Sequence, residues 1–180
     1  MKRIELLLKD PLYMEYMNIN TQEEEGAKFC KHDFQHHLDV ARITYILVLE
    51  NNDLNYFIKE NNLSGKLAAK EIIYAAGLLH DIGKWKEYQE GKDHASFGAR
   101  LAREILPNVH YTSQETELIG RAIYEHRNIS KDMSFLGERV HRADNLSRMS
   151  NLSLLCSDCS YRNLCPKLKK MEITITSFEY

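Results

Sequence analysis

"YAAGLLHDIGKW", Tyr74 to Trp85, is the stretch whose reading decides the fold. Its first half continues an apolar, Ala-rich run that begins at Lys66. The run is apolar on most sides, which predicts a central helix over Lys66–Leu79. A buried helix has no ordinary reason to end in charge. This one ends in His80 and Asp81, two residues able to bind a metal, followed by Ile82, Gly83 and Lys84.

Helical spacing continues on both sides of this stretch. Val40, Ile43, Leu47 and Val48 predict a helix over Asp33–Asn51. "NNDLNYF" and "NNLSG" mark boundaries around a short helix. His94–Leu106 carries Gly98, Leu101, Ala102 and Ile105 on one stripe and stops at Pro107. Ser113 is placed to cap the next helix, which turns Thr116, Ile119, Ala122 and Ile123 inward. Ser134–Met149 carries Leu136, Val140 and Ala143. The expected fold class is all-α, a helical bundle over 1–150. The segment 151–180 reads as a cysteine-rich extension packed on the same domain, and its end, "MEITITSFEY", alternates as a strand does.

Composition bounds the function. The chain has 180 residues, enough for one domain with a real core. Its net charge of −2 gives no electrostatic argument for nucleic acid or an acidic membrane as partner. The start, "MKRIELLLKDP", is too short and too charged for a signal peptide, and no segment is long enough to span a membrane. A cytoplasmic location is the expectation. Four cysteines in a reducing compartment then suit metal binding or free thiols better than disulfides.

Six residues with metal-ligand chemistry fall where these helices turn inward. His36 lies one turn before Val40, on the apolar face. His80 and Asp81 end the central helix. His94 opens the next, His126 closes the one after, and Asp144 sits beside Ala143. A single histidine on an apolar face is as easily a satisfied core residue. Six such residues on five helices are hard to explain that way, and imidazole with carboxylate suits zinc, iron, manganese, cobalt or nickel.

This set resembles the HD superfamily of metal-dependent phosphohydrolases. His36 in "HHLDVA", His80 and Asp81 in "LLHDIGK" and Asp144 in "RADNLS" carry the resemblance. His94 in "HASFGARLA" and His126 in "AIYEHR" are similar to the added histidines of the two-metal branch. That branch includes diadenosine tetraphosphate hydrolases and HD-GYP cyclic-dinucleotide phosphodiesterases. The Gly-Tyr-Pro signature of the latter is missing, since Lys84, Trp85 and Lys86 follow Gly83. "FCKHDFQHHLDVARI" and the cysteine-rich end also resemble a narrower group of small bacterial HD proteins.

The resemblance implies a catalytic Asp81 that bridges two ions and a metal-activated hydroxide that attacks phosphorus. The substrate it implies is a small phosphorylated molecule, a nucleotide ester or anhydride. Lys84, as a mobile point charge, and Arg127 and Arg148 are the expected phosphate contacts; surface positions explain all three as well. His36 is preferred to His37, which is rotated by about 100° on the helix. His32, one turn earlier on the same face, is in reach of substrate or a third ion, but a solvent-facing first-turn histidine is the preferred reading. Two rival readings are an HD-fold di-iron oxygenase and a non-catalytic nucleotide-binding regulatory HD module.

The cysteines form a separate question. Cys156, Cys159 and Cys165 are spaced C-x2-C-x5-C, and with Cys30 they could complete one tetrahedral site. Structural zinc and an iron–sulfur cluster both suit four thiolates, and free thiols are the plain alternative. The sequence names neither the substrate, the metals nor the oligomeric state.

Overall fold

The computed structural model describes residues 1–25 and 32–149, with side chains as far as Ser147. Cys30, the three C-terminal cysteines and the proposed strand lie outside the described residues. Among the described residues there are nine α-helices. They are α1 (Lys2–Leu7), α2 (Pro11–Glu23), α3 (Phe34–Glu50), α4 (Leu54–Glu60), α5 (Lys66–Leu79), α6 (Lys84–Glu90), α7 (His94–Ile105), α8 (Ser113–Glu125) and α9 (Phe135–Met149). A short 3-10 turn, Leu106–Val109, follows α7.

The central helix is α5, buried from Ala68 to Leu79 on nearly every side. It packs against α1, α3, α4, α8 and α9. Its approach to α3 is close enough that a side chain at Gly77 would run into the backbone of Ala41. A pair of small residues therefore sets the distance between the two helices that carry His36 and His80.

Helix ends follow local chemistry. The Asp33 side chain accepts from His36 N at the start of α3, and Asp93 accepts from Ser96 N at the start of α7. The cap of α8 is Thr112, not Ser113. Thr112 and Glu115 form a reciprocal capping box there, and Ser113 is already helical. Similarly, α7 ends at Ile105, because Pro107 draws Leu106 into the 3-10 turn.

Three helices go beyond the sequence reading. Asp10 and Pro11, which close the charged start of the chain, begin α2: Asp10 accepts from Leu12 N and Tyr13 N, and Pro11 fills the first helical position. α1 is anchored by Arg3, and α6 begins at Lys84, directly after the His-Asp turn.

A candidate metal centre at the end of the central helix

α5 delivers His80 at its C-cap, and Asp81 follows in the turn to α6. That turn is fixed from two directions. Asn20, on α2, donates from Nδ2 to the Asp81 carbonyl at 3.1 Å and accepts from Trp85 N at 2.7 Å. On the other side, a Cβ at Gly83 would lie 2.7 Å from both Gly98 N and His94 O. Gly83 has φ −93°, so glycine is required here by the close passage of α7, not by an unusual dihedral.

The structure brings all six sequence-selected residues together. His36, His80, Asp81 and Asp144 offer ligand atoms within 4.8 Å of one another, and so do Asp81, His94 and His126. All six are buried. Asp81 is common to both groups and divides its oxygens between them. Oδ2 lies 3.2 Å from His80 Nε2 and 3.6 Å from His36 Nε2. Oδ1 lies 3.0 Å from His94 Nε2 and 3.5 Å from His126 Nε2. Asp144 Oδ1 completes the first group, 3.3 Å from His36 Nε2 and 3.7 Å from His80 Nε2.

The outer nitrogens of these rings are already engaged. His80 Nδ1 is 2.7 Å from the Gly77 carbonyl, and His126 Nδ1 is 2.5 Å from that of Ile123. His94 Nδ1 meets Glu87 Oε2. His36 Nδ1 is 3.2 Å from Ser147 Oγ, whose own proton goes to the Asp144 carbonyl at 2.8 Å. Each of those partners accepts, so each Nδ1 carries a ring proton, and Nε2 is the atom each ring can offer to an ion. The four Nε2 atoms face the inner carboxylates. His36 and His80 hold Nε2 atoms only 3.2 Å apart. Imidazole nitrogens and carboxylates buried at such spacing call for a shared cation, and outer-shell acceptors on Nδ1 are the usual partners of metal-bound histidine. The donor set therefore fits divalent transition ions.

Electrostatics without an ion give the same picture. Burial pulls the pKa of His80 down, but Asp81 and Asp144 outweigh it and raise it to about 10. Burial alone would raise the two carboxyls. The charge of His80 is the largest opposing influence on Asp81, hydrogen bonds from His36 and His80 on Asp144, and both fall well below the carboxylate range. A proton on His80 thus stands in for a cation. Burial lowers His126, against the pull of Asp81.

The neighbours separate cleanly. His37 is buried against the Leu78 carbonyl at 2.8 Å and belongs to neither group; burial, then His80 and His36, lower its pKa to about 3. Lys84 is not a mobile surface charge. It is 8% exposed, and its Nζ lies 3.0 Å from Glu87 Oε2, the carboxylate that also meets His94. Arg127 is exposed, directly after His126. Arg148 stands in the last turn of α9, with its side chain outside the described residues.

His32 overturns its sequence reading. It precedes the Asp33 cap instead of riding on α3, and it is 6% exposed. Its Nδ1 lies 2.5 Å from Glu24 Oε1, and its Nε2 3.7 Å from Asp81 Oδ2. Glu24, Glu87, Ser147 and Asn20 were not found from sequence. Only Ser147, three residues after Asp144 on one helix face, left a usable spacing signal. A cleft of about 520 Å³, lined by Arg3, Gly65, Glu71 and Glu115 among others, opens at the far end of α5 and has no part in this cluster.

An all-α bundle that closes around two overlapping His/Asp groups defines an HD-type metal centre. The HD domain family model matches residues 33–149, and the chain belongs to that family. It is 36% identical over 165 residues to an uncharacterized protein of Clostridium beijerinckii, with 92% of each chain covered. It is 32% identical over 113 residues to a ribonuclease Y of Lactobacillus gasseri, covering 60% of this chain but 19% of that one. A bifunctional uridylyltransferase/uridylyl-removing enzyme of Nitrobacter winogradskyi is 37% identical over 62 residues, covering 34% of this chain and 6% of that enzyme. The crystal structure of a predicted HD superfamily hydrolase from an uncultured Thermotogales bacterium shares the fold. Its TM-score is 0.52 at 21% identity, over 98% of this chain and 95% of that one. No helix among the described residues is long and apolar enough to cross a membrane.

Proposed function

We propose that the protein is a metal-dependent phosphohydrolase that cleaves a phosphate ester or anhydride of a nucleotide. One observation carries the reading: Asp81 belongs to both ligand groups and turns one oxygen to each. His36, His80, Asp81 and Asp144 would hold one divalent ion, and Asp81, His94 and His126 a second. Such ions, when bound, lower the pKa of water and neutralise charge developing on a phosphoryl group.

The chain's own residues prepare that chemistry. The Nδ1 acceptors fix each imidazole so that none reorganises as charge develops. Burial removes competing water from the cluster and strengthens each charge interaction within it. Lys84, buried and held by Glu87, is the proposed phosphate contact, with Arg127 and Arg148 as further candidates on their position beside His126 and Asp144. The names of two relatives support a nucleotidyl substrate. A ribonuclease cuts nucleotidyl phosphodiesters, and a uridylyl-removing enzyme releases a nucleotidyl group. The 1–150 and 151–180 division, and the cysteine site as zinc or an iron–sulfur cluster, stay with this proposal.

The test is hydrolysis of a panel of nucleoside phosphates, dinucleoside polyphosphates, cyclic nucleotides and short oligoribonucleotides. Each is assayed with Mn²⁺, Fe²⁺, Co²⁺ or Ni²⁺, beside Asp81→Ala. Cleavage of at least one by the wild type and by no Asp81 variant is expected. Oxygen consumption with no cleavage replaces the reading by the oxygenase one.

A further inference from the structure

We infer that Glu87 couples Lys84 to the second ion, so that an anion at Lys84 and a metal ion at His94 strengthen each other's binding. The inference rests on the two-ion reading proposed above and names a regulation within it. Glu87 is a positioning residue in this scheme, acting only through its two partners.

The first observation is that one oxygen serves both partners. Glu87 Oε2 accepts from Lys84 Nζ at 3.0 Å, one turn back along α6. The same Oε2 meets His94 Nδ1 at the start of α7. Both partners also reach Asp81. His94 Nε2 lies 3.0 Å from Asp81 Oδ1, and Lys84 N donates to the Asp81 carbonyl at 3.0 Å. Burial works against the charge of Glu87, but the hydrogen bond from Lys84 and then the charge of His94 hold its pKa below the usual range. An ionised Glu87 accepts from both.

The second observation is a contrast with the other rings. Nδ1 of His80 and of His126 faces a backbone carbonyl, and that of His36 faces the Ser147 hydroxyl. Those acceptors are neutral dipoles. Of the four rings, His94 alone has a charged acceptor, and that acceptor holds a cation of its own. A carboxylate behind an imidazole raises the basicity of the nitrogen that binds metal. An ammonium on the same oxygen takes part of that effect away. The group around the second ion has only three members, Asp81, His94 and His126, so a change at one of them weighs heavily.

The third observation is that Lys84 is built to exchange partners. Its ammonium is a point charge with three donors on a flexible stem, so it can turn one to a phosphate oxygen. The Glu87 side chain that holds it is 35% exposed, so the pair is open on that side. A phosphate that shares the charge of Lys84 leaves Glu87 to act on His94 with less opposition. Conversely, an ion on His94 Nε2 draws Glu87 toward Nδ1 and loosens its hold on Lys84. Linkage makes the two effects equal in free energy.

The experiment is a calorimetric titration of metal-free protein with Mn²⁺, with and without inorganic phosphate. It compares wild type, His126→Ala, Lys84→Met, Glu87→Gln and the double variant Lys84→Met with Glu87→Gln. Helical circular dichroism checks each fold. The step lost in His126→Ala is the second ion. Glu87→Gln should weaken that step about 10–100-fold. Lys84→Met should do the opposite and tighten it several-fold, and this gain should vanish in the double variant. Phosphate should tighten the step more in the wild type than in either single variant, because an anion bound to metal alone helps all three alike. No gain from Lys84→Met, a gain of the same size with and without Glu87, or equal tightening by phosphate in all three overturns the inference. A wild type that takes up no Mn²⁺ overturns the metal centre itself.

Discussion

At the N-terminal end of α5, Glu71 and Glu115 are buried beside Arg3. Its Nε lies 2.7 Å from Glu71 Oε2 and its Nη1 2.8 Å from Glu115 Oε2, and the guanidinium sits 4.2 Å from the centre of the Tyr111 ring. At the C-terminal end, Asp81 and Asp144 are buried beside imidazoles whose outer protons already serve other acceptors. One helix thus ends in two charge clusters. The first is complete within the chain, because arginine supplies a permanent cation. The second has donors for a cation and supplies only a titratable proton on His80 to stand in for it. The difference separates a cluster that holds the fold together from one that recruits an ion.

The largest expected effect comes from Asp81→Ala. It removes the residue common to both ligand groups, and hydrolysis should fall by about 10³-fold or more, at or beyond the loss of one electrostatic contact in an active site. Steady-state turnover of the substrate found in the nucleotide panel measures this. The matching change at the other end, Arg3→Ala, should leave turnover per folded molecule unchanged. It should instead cost about 2–4 kcal/mol of stability, less than a fully buried pair because Arg3 is partly exposed. Urea unfolding at saturating metal checks it, and added metal should not recover the loss.

Metal itself sharpens the contrast. At 100 times the dissociation constant, each bound ion should stabilise the fold by about 2.7 kcal/mol. Thermal unfolding should show this in wild type and Arg3→Ala and lose it in Asp81→Ala. Equal shifts in all three would place binding elsewhere.

The smallest effect is a pH dependence of the metal-free protein. The His80 pKa is raised from 6.5 to about 10 in the fold, so its contribution is complete below the unfolded value and is lost as pH rises through about 10. The lowered Asp81 and Asp144 pKa values act oppositely, and their contribution is present above 3.8 and lost as pH falls. Metal-free stability should therefore decline from pH 6.5 toward 10, and saturating metal should flatten that decline. Denaturant midpoints across this range give the answer. A metal-free curve that rises toward pH 10 contradicts the picture of a proton standing in for the ion.

Much of this was legible in the sequence, for a physical reason. Period-3.6 burial announces α3, α5, α7, α8 and α9, and His36, His80, His126 and Asp144 stand at fixed offsets from it. Asp10-Pro11 was also readable as a helix start, but it follows too few apolar residues to reveal a period. α6 escaped because its seven residues form no apolar stripe. The residues that orient the rings escaped for another reason. Glu87 reaches His94 across a loop, Glu24 reaches His32 from α2, and Asn20 reaches Asp81 over 61 positions. Such pairings depend on how helices dock, which no local spacing encodes. His32 shared the helical phase of His36 but lies before the cap, so its direction comes from Glu24 and not from α3.

The central claim is that the C-terminal end of α5 is finished by exogenous divalent ions held through Asp81. Calorimetric titration of metal-free protein with Mn²⁺, beside Asp81→Ala, tests it most directly. The account predicts about two ions per wild-type chain, with proton release at neutral pH as His80 gives up its proton, and loss of both steps in the variant. No binding by the wild type, or the same binding by Asp81→Ala, would contradict it.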